Sequence, residues 1–198
     1  MAALLFKEAE SSLELHQVHA LNHRVFAEEI GQHQTNPSAL LVDHLHAQNR
    51  YFIAVRDGVV VGMISVSSGP EFSIAKRLSD IHVVRDFPRP LELRLLAIDP
   101  QQRNRTILAG LLWQAYSFAL SNGFSHLLIS AIAGRESMYR KLGFVTLGPA
   151  VPEGSASFIP MVMSVIEQRS ANGNQIQLYQ RHWQRVTKDS DPVSVMPG

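Results

Sequence analysis

The chain has 198 residues, of which 45% are hydrophobic and 18% are charged. This length and balance are typical of one globular domain with additions, whose core needs no disulfide or metal. The formal net charge of only +1 argues against a dedicated nucleic-acid-binding protein. The absence of cysteine excludes a thiolate nucleophile, zinc–thiolate sites and iron–sulfur clusters.

The N-terminal segment does not have the features of a targeting sequence. Its apolar stretch from Ala2 to Phe6 is short and lacks a basic region before it. No apolar run in the chain approaches the ~18 residues that a membrane span requires. We therefore expect a cytoplasmic protein with no membrane partner.

The first elements of the chain are predicted to be a strand and a capped helix. Residues 3–8 are apolar enough for a strand, and apolar residues at helical spacing then continue as far as Gly31. Ser11 is placed to cap this helix, and Glu14 is spaced to complete a capping box with it.

Two further signals follow. Asn36 and Pro37 form a cap followed by a first-turn proline, which predicts a second helix from residue 36 to about residue 47. Asp57-Gly58 lies between two β-rich runs, 51–56 and 59–67, and this arrangement predicts a β-hairpin.

The second half of the domain is predicted to alternate strands and helices. Residues 69–90 are expected to be irregular because prolines interrupt them. The strand at 91–99 is apolar enough to be covered on both faces. The remaining predicted elements are a long helix at 106–122, strands at 124–132, 144–148 and 157–166, a short helix at 134–143 and a loop at 149–156. This order predicts an α+β domain over residues 1–167, with a central mixed sheet flanked by helices.

Residues 168–198 form a polar C-terminal extension. A helix over 175–186 would carry Tyr179 and Trp183 on one stripe, and the residues after it are expected to be disordered. Such a stripe would dock on the body of the protein or on a second copy, so a homodimer is one arrangement it would support; the alternative is an extension that is disordered throughout.

A basic turn joins the 91–99 strand to the long helix and carries Arg103, Asn104 and Arg105. A helix N-terminus attracts phosphate through its unpaired N–H groups and partial positive charge. Two arginines would add charge-assisted hydrogen bonds to phosphate oxygens. The segment alone fits a phosphate site or a turn with two solvated arginines.

Three segments together resemble the GNAT acyltransferase superfamily. ELRLLAIDP (92–100) resembles its E-x-R-R-L-A-V-x-P strand, RNRTIL (103–108) its R-G-x-G-x-G turn, and MYRKLGF (138–144) its L-Y-x-K-L-G-F element. The resemblance covers roughly residues 3–166. It implies one GNAT-fold domain that transfers an acyl group, most often acetyl, from acyl-CoA to a small amine, with no permanently bound cofactor.

The resemblance also implies roles for individual residues. Glu92 matches the general base that draws a proton from the amine, and Tyr139 matches the general acid that protonates the leaving thiolate. Backbone groups of Leu96, Ala97 and Ile98 would bind the pantetheine arm and polarise the thioester carbonyl. The donor phosphates would lie on Arg103, Asn104, Arg105, Thr106, Ile107 and Leu108.

Structural alternatives exist for both catalytic assignments. On a regular strand Glu92, Arg94 and Leu96 would share one face, so Glu92 could simply pair with Arg94 at the surface. Tyr139 could pack its ring under the sheet.

The phosphate turn departs from the superfamily pattern. Asn104, Thr106 and Leu108 stand where the superfamily has glycines, which let backbone N–H groups approach a diphosphate. HRVFAEEIG (23–31) and GPEFSIAKRL (69–78) are similar to acyl-homoserine lactone synthases and N-acyl amino acid synthases. These branches often take the acyl group from acyl carrier protein, whose pantetheine arm carries a single phosphate.

Three functions therefore remain open: a CoA-dependent N-acetyltransferase, a carrier-protein-dependent synthase, and a degenerate GNAT domain that binds without turnover. The missing glycines favour the last, whereas Glu92 and Tyr139 oppose it.

The nine histidines do not form a recognisable metal-binding motif. His16, His19 and His23 lie at helical spacing but without the ligand pattern of a known site, so we expect solvated side chains and no metal. The basic turn lacks interleaved aromatic residues, so no nucleic-acid partner is expected.

Overall fold

The computed structural model of the protein describes residues 4–170. The helix expected at 175–186 and the disorder expected after it lie outside the described residues. The elements in chain order are β1 (Leu4–Glu8), α1 (Ser12–Asn22), a π-helix (His23–Glu29), β2 (Arg50–Arg56), β3 (Val59–Ser67), a 3-10 helix (Ser73–Arg77), α2 (His82–Arg85), β4 (Pro90–Ile98), α3 (Arg105–Ser121), β5 (His126–Ile132), α4 (Glu136–Lys141), β6 (Val145–Thr146), β7 (Val151–Glu153), β8 (Ala156–Ser164) and α5 (Val165–Ser170).

Within residues 4–170, the eight strands form one mixed sheet in the order β1-β2-β3-β4-β5-β8-β6, with β7 also paired to β8. Neighbouring strands are antiparallel except for the central pair β4 and β5, which is parallel because α3 connects them as a crossover. The predicted α+β domain with a central mixed sheet is confirmed.

Helices cover both faces of the sheet. On one face α3 buries Ile107, Leu111 and Ala115 against a core that includes Leu93 and Ile129. On the other face α1 and the π-helix pack a second cluster against β2, β3 and β4; it contains Val18, Leu21, Val25, Ile53, Met63 and Ala97. No described helix is long and apolar enough to span a membrane.

Two local sequence signals are confirmed. The Ser11 side chain accepts a hydrogen bond from the Glu14 N–H, and the Glu14 carboxylate accepts one from the Ser11 N–H, which completes the capping box. Asp57 and Gly58 both have positive φ, 50° and 76°, as a two-residue hairpin turn requires.

The helix predicted at 36–47 does not form. The segment consists of turns that end in a single 3-10 turn at His46–Gln48. Its internal backbone bonds are isolated turns, such as that from the Ala39 N–H to the Asn36 carbonyl oxygen, and the Leu41 N–H donates to the His19 carbonyl oxygen of α1 instead of continuing a helix. Ala39 adopts a φ of 51°, which a right-handed helix cannot accommodate.

The bounds of three other elements also differ from the prediction. The predicted N-terminal helix continues past Asn22 as the π-helix rather than as α-helix. Residues 151–153, expected in a loop, pair with β8, and β8 ends at Ser164 because the chain then turns into α5.

The prediction of solvated histidines is wrong for two of the three. His16 is exposed, but His19 is half-buried with its ring centroid 4.9 Å from that of His46. His23 is buried and its Nε2 accepts a hydrogen bond from the Asn36 N–H, 3.1 Å away. His23 therefore ties the 36–49 loop to the π-helix.

Candidate active site

The central strands β4 and β5 separate at their C-terminal ends. They pair in parallel only where Pro90–Leu93 meets His126–Ile129, although β4 continues to Ile98 and β5 to Ile132. β3 still pairs with Ala97 and Ile98 on the other edge of β4. The last part of β4 therefore presents backbone N–H and C=O groups without a strand partner on the side of β5, where an extended ligand can bind as a strand would.

A β-bulge lies at the point where the strands separate. The pairing of β3 with β4 shifts register between Met63 and Ser65, and Leu95 has a φ of 53°. The extra residue interrupts the side-chain alternation. Leu96 consequently packs on the α3 side, whereas Glu92 and Arg94 contact the loops on the opposite side. The expectation that Leu96 shares the face of Glu92 is wrong for this reason.

The separation opens one cleft of about 620 Å³, a volume in the range of small-molecule sites. Its polar lining comes from the start of α3, the π-helix, the 43–44 loop and the 3-10 helix. Its apolar lining also belongs to the main core and includes Ile64, Leu93, Leu108, Leu112 and Ile129. The cleft thus combines polar groups with an apolar wall.

Asn104 caps the helix end that faces the cleft. Its Oδ1 accepts a hydrogen bond from the Ile107 N–H at 2.9 Å, and its carbonyl oxygen accepts one from the Leu108 N–H at 3.4 Å. The bond of Leu108 is the first ordinary bond of the helix, so one of the N–H groups that a helix N-terminus can offer to phosphate, that of Ile107, is already bonded.

Arg103 joins the start of α3 to the π-helix. Its Nη1 donates to the Glu29 carboxylate at 2.7 Å, its Nη2 donates to the other carboxylate oxygen, and its Nε donates to the Ile98 carbonyl oxygen at 3.3 Å. Arg24 of the same π-helix pairs with Asp99, which lies just before the basic turn. Both pairs are partly solvated, so they can exchange partners at modest cost.

Glu92 is fully buried in the wall of the cleft. Its carboxylate accepts three hydrogen bonds of 2.7 Å, from the N–H and hydroxyl of Ser73 and from the N–H of Ile74. Burial raises the pKa of Glu92, while the Ser73 donors and the nearby Arg94 charge oppose that shift. The arrangement holds one carboxylate at a fixed position in a nearly dry site.

Arg94 and Asp43 form a buried ion pair beside Glu92. Arg94 donates to both oxygens of Asp43, at 2.5 and 3.0 Å, and its Nε donates to the Ser73 hydroxyl oxygen at 3.1 Å. Asn49 joins the pair, since it donates to Asp43 at 2.6 Å and accepts from Arg94 at 3.2 Å. Burial alone raises the pKa of Asp43, but the bond and charge of Arg94 outweigh it and hold this pKa below its usual value.

Tyr139 lies on α4 across the cleft from the end of β4. Its ring is half-buried and packs edge-to-face on Phe144, with ring centroids 5.9 Å apart. Tyr139 and Met138 line the cleft together with Leu96 and Ile98. The tyrosine therefore has a packing contact on one side and access to the cleft on the other.

The structure brings most of the predicted site residues to one cleft. Those that line it are Glu92, Leu96, Ile98, Arg103, Asn104, Arg105, Leu108 and Tyr139. The side chains of Ala97 and Ile107 are instead buried in the two cores, and Thr106 does not line the cleft. Ala97 can contribute only backbone groups, and a glycine at 106 would not enlarge the cleft.

Sequence reasoning missed the polar residues that line the cleft around Glu92. Asp43, Ser73 and Arg77 come from segments that have no catalytic motif. Ser73 and Arg77 lie within GPEFSIAKRL, whose similarity to the synthase branches marked the segment but not its residues. Asp43 had no such signal, because its partner Arg94 is distant in the chain.

Residues 17–166 match the family of the N-acyl amino acid synthase FeeM. The chain belongs to this family. Its members are acyltransferase enzymes of the GNAT-like fold, so the chain is an acyltransferase. The expected GNAT superfamily and its synthase branch are confirmed. No curated protein sequence is similar enough to this chain to count as a match.

Solved structures agree with the FeeM family in fold. FeeM from uncultured soil microbes superposes with a TM-score of 0.70 at 17% identity, over 90% of this chain and 99% of FeeM. The acyl-homoserine lactone synthase LasI gives a TM-score of 0.68 at 18% identity, over 91% and 96% of the two chains. The CoA-dependent acyl-homoserine lactone synthase BjaI, solved with SAM and isopentyl-CoA, gives 0.70 at 18% identity, over 94% and 90%.

Proposed function

We propose that this protein is an N-acyl amino acid synthase that uses a thioester donor with an acyl chain longer than acetyl. The observation that carries the proposal is the single cleft that joins the start of α3 to the apolar layer of the core. Membership of the FeeM family supports an amino acid as the acceptor.

The donor arm fits the open edge of β4. A pantetheine chain contains two amide groups and would bond to the backbone groups of Leu96, Ala97 and Ile98 that face the side of β5, in the manner of an added strand. This position would bring the thioester to the bulge at Leu95, between Glu92 and Tyr139.

The apolar wall of the cleft favours a long acyl chain over acetyl. An acetyl group would leave Ile64, Leu112 and Ile129 without contact, although these side chains line the cleft. Each methylene that enters such a pocket gains about 0.8 kcal/mol, or about fourfold in binding. Acetyl-CoA, the co-substrate expected from the superfamily as a whole, is for this reason a weaker candidate.

The proposed chemistry needs one base and one acid. The amine nitrogen attacks the thioester carbonyl, the C–N bond forms and the C–S bond breaks. Glu92, directly or through one water, takes the proton that the amine loses, and Tyr139 donates a proton to the departing thiolate. We assign Arg103 and Arg105 to the donor phosphate because both line the cleft at the start of α3.

The experiment measures thiol release from acyl-CoA and acyl-carrier-protein donors of two to twelve carbons, with a mixture of amino acids as acceptors. The protein contributes no background to a thiol reagent because it has no cysteine. We expect kcat/KM to rise about fourfold per methylene until the pocket is full, and mass spectrometry to detect an N-acyl amino acid.

Leu112→Phe provides an internal control. The larger ring should shorten the pocket and move the optimum to shorter chains, while the acetyl donor is unaffected. A wild-type preference for acetyl-CoA would instead indicate an N-acetyltransferase. If no combination of donor and amine releases thiol, the protein is a binding protein without turnover.

A further inference from the structure

Arg77 is a buried arginine in the wall of the cleft. It is the last residue of the 3-10 helix, and its side chain is only 5% exposed. Its guanidinium lies 4.8 Å above the centre of the Phe158 ring, which also lines the cleft. The mechanism proposed above gives this residue no role.

The hydrogen bonds of Arg77 are incomplete. Nη2 donates to the Glu153 carboxylate, and Nη1 donates to the Ser73 carbonyl oxygen at a long 3.4 Å. The Nε–H is enclosed and has no acceptor among residues 4–170. A buried guanidinium donor without an acceptor is costly, so this position is suited to an incoming anion.

Arg77 also shares its one hydrogen-bonded carboxylate with another cation. Glu153 also accepts a hydrogen bond from Lys76 at 2.9 Å, so a single carboxylate serves two cations. Burial lowers the pKa of Arg77, although the charges of Glu153 and Glu92 act in the opposite direction. An incoming carboxylate would supply the acceptor that the Nε–H lacks and a partner that Lys76 does not share.

We propose that Arg77 binds the carboxylate of the acceptor amino acid and thereby selects amino acids over simple amines. This inference rests on the proposed function. Ser73 explains how one substrate could reach both groups, because its carbonyl accepts from Arg77 while its N–H and hydroxyl donate to Glu92. An α-amino acid, whose amine and carboxylate are one carbon apart, would place the amine near Glu92 and the carboxylate near Arg77.

A purely structural role for Arg77 makes a different prediction. If Arg77 only holds β7 through Glu153, an amino acid and its neutral amide would bind equally well. The comparison of an amino acid with its amide therefore separates the two roles. Lys76→Gln is a matched control because Lys76 also bonds to the Glu153 carboxylate but is half-exposed.

The experiment measures KM and kcat for the preferred amino acid and for its carboxamide in wild type, Arg77→Gln, Arg77→Lys and Lys76→Gln. We expect the wild-type KM for the amide to exceed that for the acid by about 10- to 100-fold, the value of one charged hydrogen bond. Arg77→Gln should raise the KM for the acid to that of the amide with little change in kcat. Lys76→Gln should preserve the preference.

Calorimetric titration with the N-acyl amino acid and its amide provides a readout that needs no turnover. If no amine is acylated, the proposed function fails, and the titration still decides whether binding depends on a carboxylate at Arg77. Equal binding of acid and amide to the wild-type protein overturns the inference. If Arg77→Gln does not fold, the ratio of the affinities for acid and amide, measured in wild type and in the conservative Arg77→Lys variant, decides whether Arg77 binds the carboxylate.

Discussion

The carboxylate of Asp43 and the guanidinium of Arg94 meet in a two-point ion pair whose side chains are only 6% and 7% exposed. The pair fastens a loop without regular structure to the bulged strand of the active site. Arg94 also contacts Ser73, which holds Glu92. The position of the candidate base therefore depends on a carboxylate from a distant part of the chain.

The first prediction concerns this pair. Asp43→Asn leaves the Arg94 charge buried and should lower the free energy of unfolding by about 3–5 kcal/mol, measured by urea denaturation. Replacing both residues with apolar ones, Asp43→Leu with Arg94→Met, should recover much of that stability but not activity. Arg50→Gln, which removes an exposed pair with Glu8, should cost less than about 1 kcal/mol. A double variant with normal activity would show that the pair only stabilises the fold.

This pair also shows where sequence reasoning stops. The strand, basic turn and helix of the donor side were predicted correctly because neighbouring residues determine them. Asp43 was assigned to a helix because Asn36 and Pro37 form a valid local signal. Its partner Arg94 is 51 residues away in the chain. The burial of this ion pair and the bond from the loop to α1 outweigh the local preference for a helix.

The sequence does not predict the bulge at Leu95 either. ELRLLAID contains no glycine to mark it, yet it decides which side chains of β4 face α3 and which face the opposite loops. Local patterns therefore predicted the strand, turn and helix at the start of α3, whereas the residues around Glu92 are brought together by pairing between distant segments.

The second prediction is a pH dependence set by Glu92. The base must be ionised, and burial raises its pKa above the ordinary value for glutamate. Activity should therefore fall as the pH falls through this raised pKa, which produces an acid limb in the profile of kcat/KM. Glu92→Gln should remove the limb and lower the rate by about 10²–10⁴-fold. An unchanged profile in this variant would assign the limb to another group.

The third prediction tests the acid. Tyr139→Phe keeps the edge-to-face contact with Phe144 and removes only the hydroxyl. Turnover should decrease by about 10²–10⁴-fold while the dissociation constant of the donor stays within threefold of the wild-type value (about 0.6 kcal/mol). Single-turnover kinetics and equilibrium titration measure the two quantities separately. Full activity would leave Tyr139 with a packing role alone.

The fourth prediction uses the pair between Arg103 and Glu29. A donor phosphate must compete with Glu29 for Arg103, so the two partners should have opposite effects. Arg103→Gln should raise the donor KM by about 10-fold or more, the loss of one charged hydrogen bond. Glu29→Gln should lower it. Both side chains are more than a third exposed, so thermal unfolding should change little in either variant. If both variants change the donor KM in the same direction, the donor phosphate binds elsewhere.

The last prediction separates the two kinds of donor at Asn104. Its Oδ1 accepts the Ile107 N–H, a group that the diphosphate of coenzyme A would otherwise use. Asn104→Gly frees that N–H and costs only about a few tenths of a kcal/mol as a cap. Asn104→Asp keeps the cap but adds a negative charge. The glycine should lower the KM for acyl-CoA and the aspartate should raise it.

Acyl-phosphopantetheine, which has a single phosphate, is the matched donor for this comparison. If the natural donor is a carrier protein, Asn104→Gly should improve acyl-CoA more than acyl-phosphopantetheine, because only the diphosphate needs the additional N–H. If the wild-type protein already prefers acyl-CoA and the glycine changes neither KM, the asparagine cap does not obstruct coenzyme A. The protein would then be a CoA-dependent synthase, and Arg103 and Arg105 would carry the diphosphate without help from the Ile107 N–H.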